Sequence, residues 1–455
     1  MNIKPILLGK LGYIEKECYT LTGYLGDTEC ITGKEYEILK LMDGFNTIND
    51  IAKKANVQTK QVECLFSKYE NTARKVIQLE DWNKTSWCSK CKIYYMGENC
   101  GFCNQKGEKL FFSPPCDPWM ALSVEKEYVL RNLRKRFDIN VSDDCVLLIN
   151  NGVHEGKFFW EVAYGNKLIL KINFEGYNEE QWKFELLKSK EEILQIEPMI
   201  WNEISKERFI SANRIRQEQL YLKAKSFIYE TNMYFNELPL LYFSGGKESM
   251  VMLSLLERLK IKANVITVAG GVEFPEDYNF MKKCVKKIEH NNDLNMYFYQ
   301  EDGKSIMNEI QEKGRLTIDD PWCRVKYKRE LKLKAVRDIY GKKEFVAYEG
   351  SRWYENDFRR RHPKIQILKD YPYQLWAHPI AEWTYMDVWI YLLENKISIN
   401  PMYYKGYQRT TCWMCPIVNP FHLLCSKKQY PNLWEQIKEC EISSAEDSSY
   451  KEFPY

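Results

Sequence analysis

The sequence predicts an α/β protein: a doubly wound parallel sheet over residues 216–455, preceded by three small units. Three observations carry that prediction. Beyond residue 216 the patterns run helix, strand, loop, helix, strand, as a parallel sheet with crossover helices requires. Within it, the apolar run 238–243 passes through Ser-Gly-Gly-Lys-Glu-Ser straight into a helical repeat of Met250, Leu253, Leu256 and Leu259. Upstream the texture differs: short helices, two Cys-x2-Cys pairs and alternating strands. A chain of 455 residues, 45% of them hydrophobic, can bury a large core and accommodates about three domains.

The totals exclude some classes of function. A net charge of +3 does not mark a nucleic-acid binder, though it permits local basic patches. No apolar run approaches the ~18 residues of a membrane span. The opening MNIKPILLGKLGYIEKE has no long apolar segment followed by a small-residue cleavage site, so a cytoplasmic protein is expected. Fifteen cysteines in such a chain read as thiols and metal ligands rather than a disulfide framework. The five histidines, His154, His290, His362, His378 and His422, stand in no spacing that suggests a hydrolytic triad.

The first unit, residues 1–80, opens with the hairpin-like CYTLTGYLGDTECIT. Tyr36, Ile38, Leu39 and Leu41 then fall at helical spacing, Asp43-Gly44 makes a turn, and Ile48, Ile51 and Ala52 open a second helix. With a third helix to follow, this is a winged-helix-like module, either a recognition domain or a docking platform. Residues 81–115 hold Cys88-x2-Cys91 and Cys100-x2-Cys103, eight residues apart. Four thiolates so spaced can surround one Zn²⁺ at ~2.3 Å, a closed structural site that clamps a segment too short for its own core. The alternative is four reduced cysteines without metal. The prolines of FFSPPCDPW mark a boundary, and 116–215 reads as a small α+β domain with one helix (EKEYVLRNLRKRF) and three alternating strands (CVLLINNG, FFWEVAYG, KLILKINF). Arg131, Arg134, Lys135 and Arg136 on that helix form either a phosphate-facing patch or a solvated face.

The diglycine stretch carries the chemistry. Gly245 and Gly246 let backbone N–H groups approach phosphate oxygens with no Cβ in the way. The following helix N-terminus adds its dipole and free donors. Ser244 and Ser249 supply hydroxyls, and Lys247 can neutralise phosphate charge. The spacing fits neither Gly-x4-Gly-Lys nor Gly-x-Gly-x-x-Gly.

It does resemble the Ser-Gly-Gly-x-Asp-Ser pyrophosphate loop of the ATP pyrophosphatase and sulfonucleotide reductase superfamily, with Glu248 in place of the aspartate. Further stretches over most of 216–425 carry the same resemblance. VITVAGGVEFPEDYNF resembles the second strand and Phe-Pro-Glu turn, with Gly270 and Gly271 near the nucleotide's sugar and Ala269 where an acidic residue often stands. DDPWCRVKYKRELK resembles the Trp-Cys-x-x-x-Lys segment. YEGSRWYENDFRRRHP resembles the Gly-x-Arg-x-x-Glu-Ser-x-x-Arg element, with Asn356 for the serine. In it Arg352 and Arg359 could grip phosphate or sulfate. HPIAEWTYMDVW resembles the C-terminal portion, where Trp383, Val388, Trp389 and Leu392 read as core and His378 as structural. The ribbon, the Pro-Pro-x-Asp turn and the strand-rich unit together resemble the front half of archaeal-type sulfonucleotide reductase-like proteins, where that unit is similar to an RNA-binding PUA domain. The resemblance implies an adenine nucleotide α-hydrolase-like fold for the C-terminal domain.

Cys412-x2-Cys415, Cys425 and the distant Cys323 make a second cysteine group. Spacing alone leaves zinc, redox and cluster roles open. RTTCWMCPIV resembles a stretch of the ATPases that install sulfur in the DNA backbone. That resemblance implies a 4Fe–4S cluster on Cys323, Cys412, Cys415 and Cys425; zinc, with His422 as a substitute ligand, is the rival. The function implied is ATP-dependent sulfur transfer. Mg²⁺-ATP would lie on the loop, with Lys247, Glu248 and Arg352 as catalytic groups. A tRNA or DNA oxygen would be adenylated with release of pyrophosphate, and sulfur would come from a cysteine desulfurase or another donor. One alternative is sulfonucleotide reduction by a mobile Cys440. Another is a nucleotide-binding subunit of a larger defence or modification complex, without catalysis of its own; Glu248, Ala269 and Asn356 are the departures that favour it.

Overall fold

The computed structural model describes the chain except residues 1–5, 8–9, 15–17, 23–27, 43–45, 70–76, 79–83, 115, 155–156, 177, 301–302, 314–321, 361, 369–370, 411, 416–417 and 437–455. The expected turn at Asp43-Gly44 and the reductive cysteine Cys440 lie outside the described residues.

The first unit is a three-stranded antiparallel sheet (Lys10–Ile14, Cys18–Thr22, Thr28–Ile31) with three helices, Gly33–Lys40, Ile48–Lys54 and Thr59–Tyr69. Thr32 with Glu35 and Thr47 with Asp50 form capping boxes, which fix where the first two helices begin. Leu21, Ile38, Leu39, Ile51, Val62 and Phe66 make a core that draws only on this unit. The ribbon is a three-stranded sheet of Thr85–Cys88, Ile93–Met96 and Glu108–Lys109. Beyond it, Trp119–Met120, Leu147–His154, Lys157–Tyr164, Lys167–Phe174 and Lys183–Leu186 form an antiparallel sheet, packed by the helix Ser123–Phe137. The three alternating runs seen in sequence are its three long strands.

A 30-residue helix, α1 (Glu203–Asn232), leads into the last unit. It runs unbroken through residue 216, so the boundary expected at 215/216 falls inside a helix. The reason is that α1 serves both sides. Phe209 and Ala212 pack with the ribbon, whereas Leu220, Ala224 and Ile228 pack with the parallel sheet.

The parallel sheet is built from β1 (Leu240–Tyr242), β2 (Ala263–Ala269), β3 (Leu294–Gln300), β4 (Phe345–Tyr348), β5 (Ile365–Leu368) and β6 (Tyr371–Ala377). Their spatial order is β3-β2-β1-β4-β6-β5; only the edge strand β5 is antiparallel. The connecting helices are α2 (Lys247–Leu259), α3 (Pro275–Glu289), α4 (Gly303–Lys313) and α5 (Leu331–Tyr340), followed by α6 (Tyr385–Glu394) and α7 (Pro420–Gln429). The central strand β1 is apolar on both faces because helices cover both, and Leu240 and Leu241 are fully buried. Met250, Leu253, Leu256 and Leu259 face inward, as their spacing requires.

Candidate functional site

The chain order turns back between β1 and β4: from β1 it winds outward to β2 and β3, then returns to β4 on the other side. Crevices at such a reversal, beyond the carboxyl ends of the strands, are where open α/β sheets take ligands. Two loops meet there. Residues 243–246 follow β1, and residues 349–352 follow β4. The second presses so closely on the first turn of α2 that a Cβ on Gly350 would lie 2.8 Å from the Cβ of Glu248.

The first loop is a nest of polar groups. Gly245 adopts φ +72°, a left-handed conformation suited to glycine. A Cβ on Gly246 would lie 2.9 Å from Thr410 Oγ1. Ser244 Oγ is 3.3 Å from Ser249 Oγ, and Ser249 Oγ donates to Gly246 O at 2.9 Å. Gly246 is the N-cap of α2, so the dipole of a 13-residue helix points at the loop. Lys247 N–H donates to the Tyr403 hydroxyl at 2.8 Å, and Asn400 Nδ2 reaches Gly245 O at 3.4 Å and Asp277 Oδ1 at 2.7 Å. The segment 400–410 therefore lies across the loop.

Lys247, Glu248 and Arg352 form one buried charge network. Lys247 Nζ is 2.9 Å from Glu248 Oε1 and donates to Gln408 O at 3.0 Å, and it sits 4.1 Å from the centre of the Tyr385 ring. Burial pushes the Lys247 ammonium below its ordinary value, and Glu248 pulls it back. Burial alone would raise the Glu248 carboxyl, but Lys247 and Arg352 beside it bring it down to about 2. Arg352, 1% exposed, donates through Nε to Glu248 Oε1 at 3.0 Å. Its Nη1 donates to Asp117 Oδ2 at 2.9 Å and to Trp383 O at 3.3 Å. Asp117 comes from the Pro-Pro-x-Asp turn of the front half; nothing in its spacing from Arg352 could have paired them. Arg359 borders this network: it contacts Ser351 Oγ, and its Nε lies 3.2 Å from Glu355, whose other oxygen accepts the Arg352 backbone N–H at 3.0 Å.

The second glycine pair is placed differently from the expectation. Gly270 N–H and Gly271 N–H donate to the two oxygens of Glu273, at 2.9 and 3.0 Å. A protein carboxylate thus occupies the donors that sequence reasoning reserved for a nucleotide. Glu273 was readable as the residue before the Phe-Pro-Glu turn, but not as the occupant of those donors.

The ribbon cysteines meet as expected. The four sulfurs of Cys88, Cys91, Cys100 and Cys103 all lie within 4.8 Å of one another, with Cys88 and Cys103 3.5 Å apart. Each knuckle closes with a residue at positive φ, Lys92 at 54° and Asn104 at 57°, which turns the chain back over its sulfurs. Burial opposes ionisation of Cys103, but the Gln105 N–H and the neighbouring thiols lower it to about 7. The four thiols suit a metal ion. Among the described residues no other group of three or more candidate ligands is as tight.

The second group assembles in part. Residue 412 pairs with Glu273, and Trp413 N–H donates to Val272 O at 3.2 Å, so Cys412 lies beside the end of β2. Cys323 precedes a π-helical turn, Arg324–Glu330, that brings Lys328 to Cys412 and Cys415. Those thiols and Glu273 raise the Lys328 ammonium, with Cys412 the strongest influence. Burial raises Cys412 to about 11, with Lys328 opposing and Cys323 and Cys415 nearby. Cys425 stands elsewhere: it is buried on α7, and a Cβ on Gly406 would lie 3.2 Å from its sulfur. Its charged neighbours are Glu125, Lys428 and Glu179, not the other cysteines. His422 also stays out, because its Nε2 accepts the Gln408 N–H. Burial on an apolar helix face explains both departures.

Residues 239–418 match the family model described as phosphoadenosine phosphosulfate reductase domain. An uncharacterized protein of Methanocaldococcus jannaschii is 22% identical over 441 residues, covering 77% of this chain and 90% of its own length. The phosphoadenosine 5'-phosphosulfate reductase of Alteromonas mediterranea is 29% identical over 185 residues, covering 39% of this chain and 70% of its own. Among solved structures, the phosphoadenylyl-sulfate reductase of Candida auris aligns over 47% of this chain and 96% of its own, at 16% identity and a TM-score of 0.34. Residues 239–418 are thus similar to the phosphoadenosine phosphosulfate reductase domain.

Proposed function

We propose that the loop 244–249 binds the phosphates of an adenine nucleotide, and that the chain uses Mg²⁺-ATP to activate a nucleic-acid oxygen, in tRNA or DNA, for replacement by sulfur. The observation that carries this reading is the meeting, at one strand reversal, of the diglycine loop, the buried Lys247–Glu248–Arg352 network and a rim of thiols. The acceptor oxygen attacks the α-phosphorus, the bond to pyrophosphate breaks, and the loop donors with Lys247 stabilise the leaving charge. Positioning and charge neutralisation supply most of the barrier reduction. Cys323, Cys412 and Cys415, with the Lys328 cation beside them, are the residues that would hold the iron–sulfur cluster this reading calls for. Such a cluster, when bound, would supply or relay sulfur. The ribbon cysteines suit a structural Zn²⁺. A cysteine desulfurase is a fitting sulfur donor, and the cytoplasm a fitting compartment.

A second reading is sulfonucleotide reduction, favoured by the names of the relatives, among them adenosine 5'-phosphosulfate reductase of Bacillus cereus. One experiment separates the two. Anaerobically purified protein is given ATP with tRNA or DNA and assayed for pyrophosphate, and in parallel given phosphosulfates with a thiol reductant and assayed for sulfite. Sulfur transfer predicts pyrophosphate release that depends on nucleic acid; sulfite production abolished by Cys440→Ser would replace it with reduction. About four irons per chain beside zinc are expected in metal analysis, whereas a colourless protein holding zinc alone would count against the cluster.

A further inference from the structure

We propose that Asp117, carried by the front strand-rich unit, is a positioning residue of the nucleotide site, so that this unit completes the site rather than merely presenting an acceptor. The proposal rests on the reading that the diglycine loop holds nucleotide phosphates.

Asp117 lies outside the family match, which begins at residue 239. It is 7% exposed, and both its oxygens are used across the boundary between the two halves. Oδ2 accepts from Arg352 Nη1 at 2.9 Å, and Oδ1 accepts the backbone N–H of Tyr385, the first residue of α6. Tyr385 in turn lies against Lys247 and donates its hydroxyl to Gln408 O, the same carbonyl that receives Lys247 Nζ. One carboxylate therefore fixes the guanidinium that grips Glu248 and the ring that backs Lys247. It is itself anchored from the front half, because its N–H donates to Asn150 Oδ1 at 3.0 Å, and Asn150 Nδ2 donates to Ser113 O at 2.8 Å.

The guanidinium geometry gives this arrangement a purpose. Nε is held by Glu248, Nη1 by Asp117 and Trp383 O, and Nη2 has no hydrogen bond among the described residues. A planar fork pinned at two corners keeps its third corner, Nη2, at a set angle for a single directed hydrogen bond to a phosphate oxygen. With Asp117 removed, Glu248 alone would hold Arg352, and the fork could swing about Nε. A buried arginine that loses one of two carboxylates also leaves an unsatisfied donor in a low-dielectric site.

The test uses the full chain with Mg²⁺ and titration calorimetry against ATP, inorganic pyrophosphate and adenosine. Asp117→Asn, which loosens rather than removes the arginine, is expected to weaken ATP and pyrophosphate roughly tenfold and to leave adenosine unchanged. The same substitution in an Arg352→Lys background should add little, since the two residues act as a unit. Equal weakening of all three ligands, or unchanged affinity for ATP, overturns the proposal while leaving nucleotide binding intact. If the unaltered protein binds neither ATP nor pyrophosphate, the underlying reading fails instead. Should Asp117→Asn not fold, Asp117→Glu keeps the charge and shifts the carboxylate by one methylene. The same selective loss is expected of it, and a uniform loss or none overturns the proposal.

Discussion

Gly350 shows how a single residue couples the two loops of the site. Any Cβ there would lie 2.8 Å from Glu248 Cβ and 3.0 Å from its backbone carbonyl, and neither is a flexible side-chain end that could move aside. Gly350→Ala should therefore force the β1 and β4 loops apart. Such overpacking costs about 1–3 kcal/mol, visible as a lower midpoint in urea together with weaker ATP binding. Asp277, on the first turn of α3, offers a pH-dependent test. Burial raises its carboxyl from an ordinary 3.8 to about 7, against the hydrogen bond from Asn400. Between those values the folded chain holds a proton that the unfolded chain has lost. Its presence therefore erodes stability as pH climbs from about 4 to about 7, with no further loss above. Asp277→Asn keeps an oxygen for Asn400 and removes the ionisation. The variant should melt higher than the parent at pH 8, by an amount on the order of 2–4 kcal/mol in stability, and the difference should vanish near pH 4. A constant difference across that range would refute the account. At this scale the sequence was legible where chemistry is local. The diglycine loop, Lys247 and the ribbon thiols are where their spacing put them. Asp117, Tyr403 and Asn400 were not legible, because their roles arise only when segments far apart in the chain meet.

The element that organises the molecule is α1. Its first half docks on the ribbon through two polar contacts. Gly101 N–H donates to Ala212 O at 2.9 Å, and the buried Asn213 accepts the Met96 N–H at 2.7 Å while its Nδ2 returns to Phe209 O. Its middle is tied to α6 by Arg216, which meets both oxygens of the fully buried Asp387 at 2.7 Å. Asp387 is also the capping-box partner of Thr384, so the pair fixes the start of α6. Asn213→Ala leaves the Met96 N–H buried without an acceptor, and a loss of about 1–3 kcal/mol is expected in chemical denaturation. A helix of this length was visible as a change of texture near residue 216, but not as a single span. The apolar stripe switches partners along its length, so no one face repeats from end to end, and the period that betrays a helix in sequence is blurred.

At the scale of the whole chain, four units could be read from composition and spacing, but only one of them has a core to itself. Among the described residues, the core of the first unit runs from Leu7 to Tyr69 and takes nothing from elsewhere. The core of the strand-rich unit is continuous with that of the parallel-sheet unit: Trp160 packs 4.7 Å from Phe421 and Trp119 5.4 Å from Tyr385, ring to ring. The ribbon shares its core with Tyr354, Met386 and Ile390. Sequence could mark where patterns change, since that depends on local residue order; it could not show which apolar faces close on one another, since that depends on the assembled shape. Two truncations follow from this difference. A chain begun at residue 84 discards a self-contained core and should keep the melting temperature of the remainder and its ATP affinity. A chain begun at residue 203 keeps the entire parallel sheet but strips the cover from Tyr385, Phe421 and Met386 and removes Asp117. It should expose a broad apolar face, bind hydrophobic dye, and show no cooperative melting. If the shorter chain instead melted in a single sharp transition and bound ATP as tightly as the parent, the front units would be appendages. The shared core, together with the role given to Asp117, would then have to be abandoned.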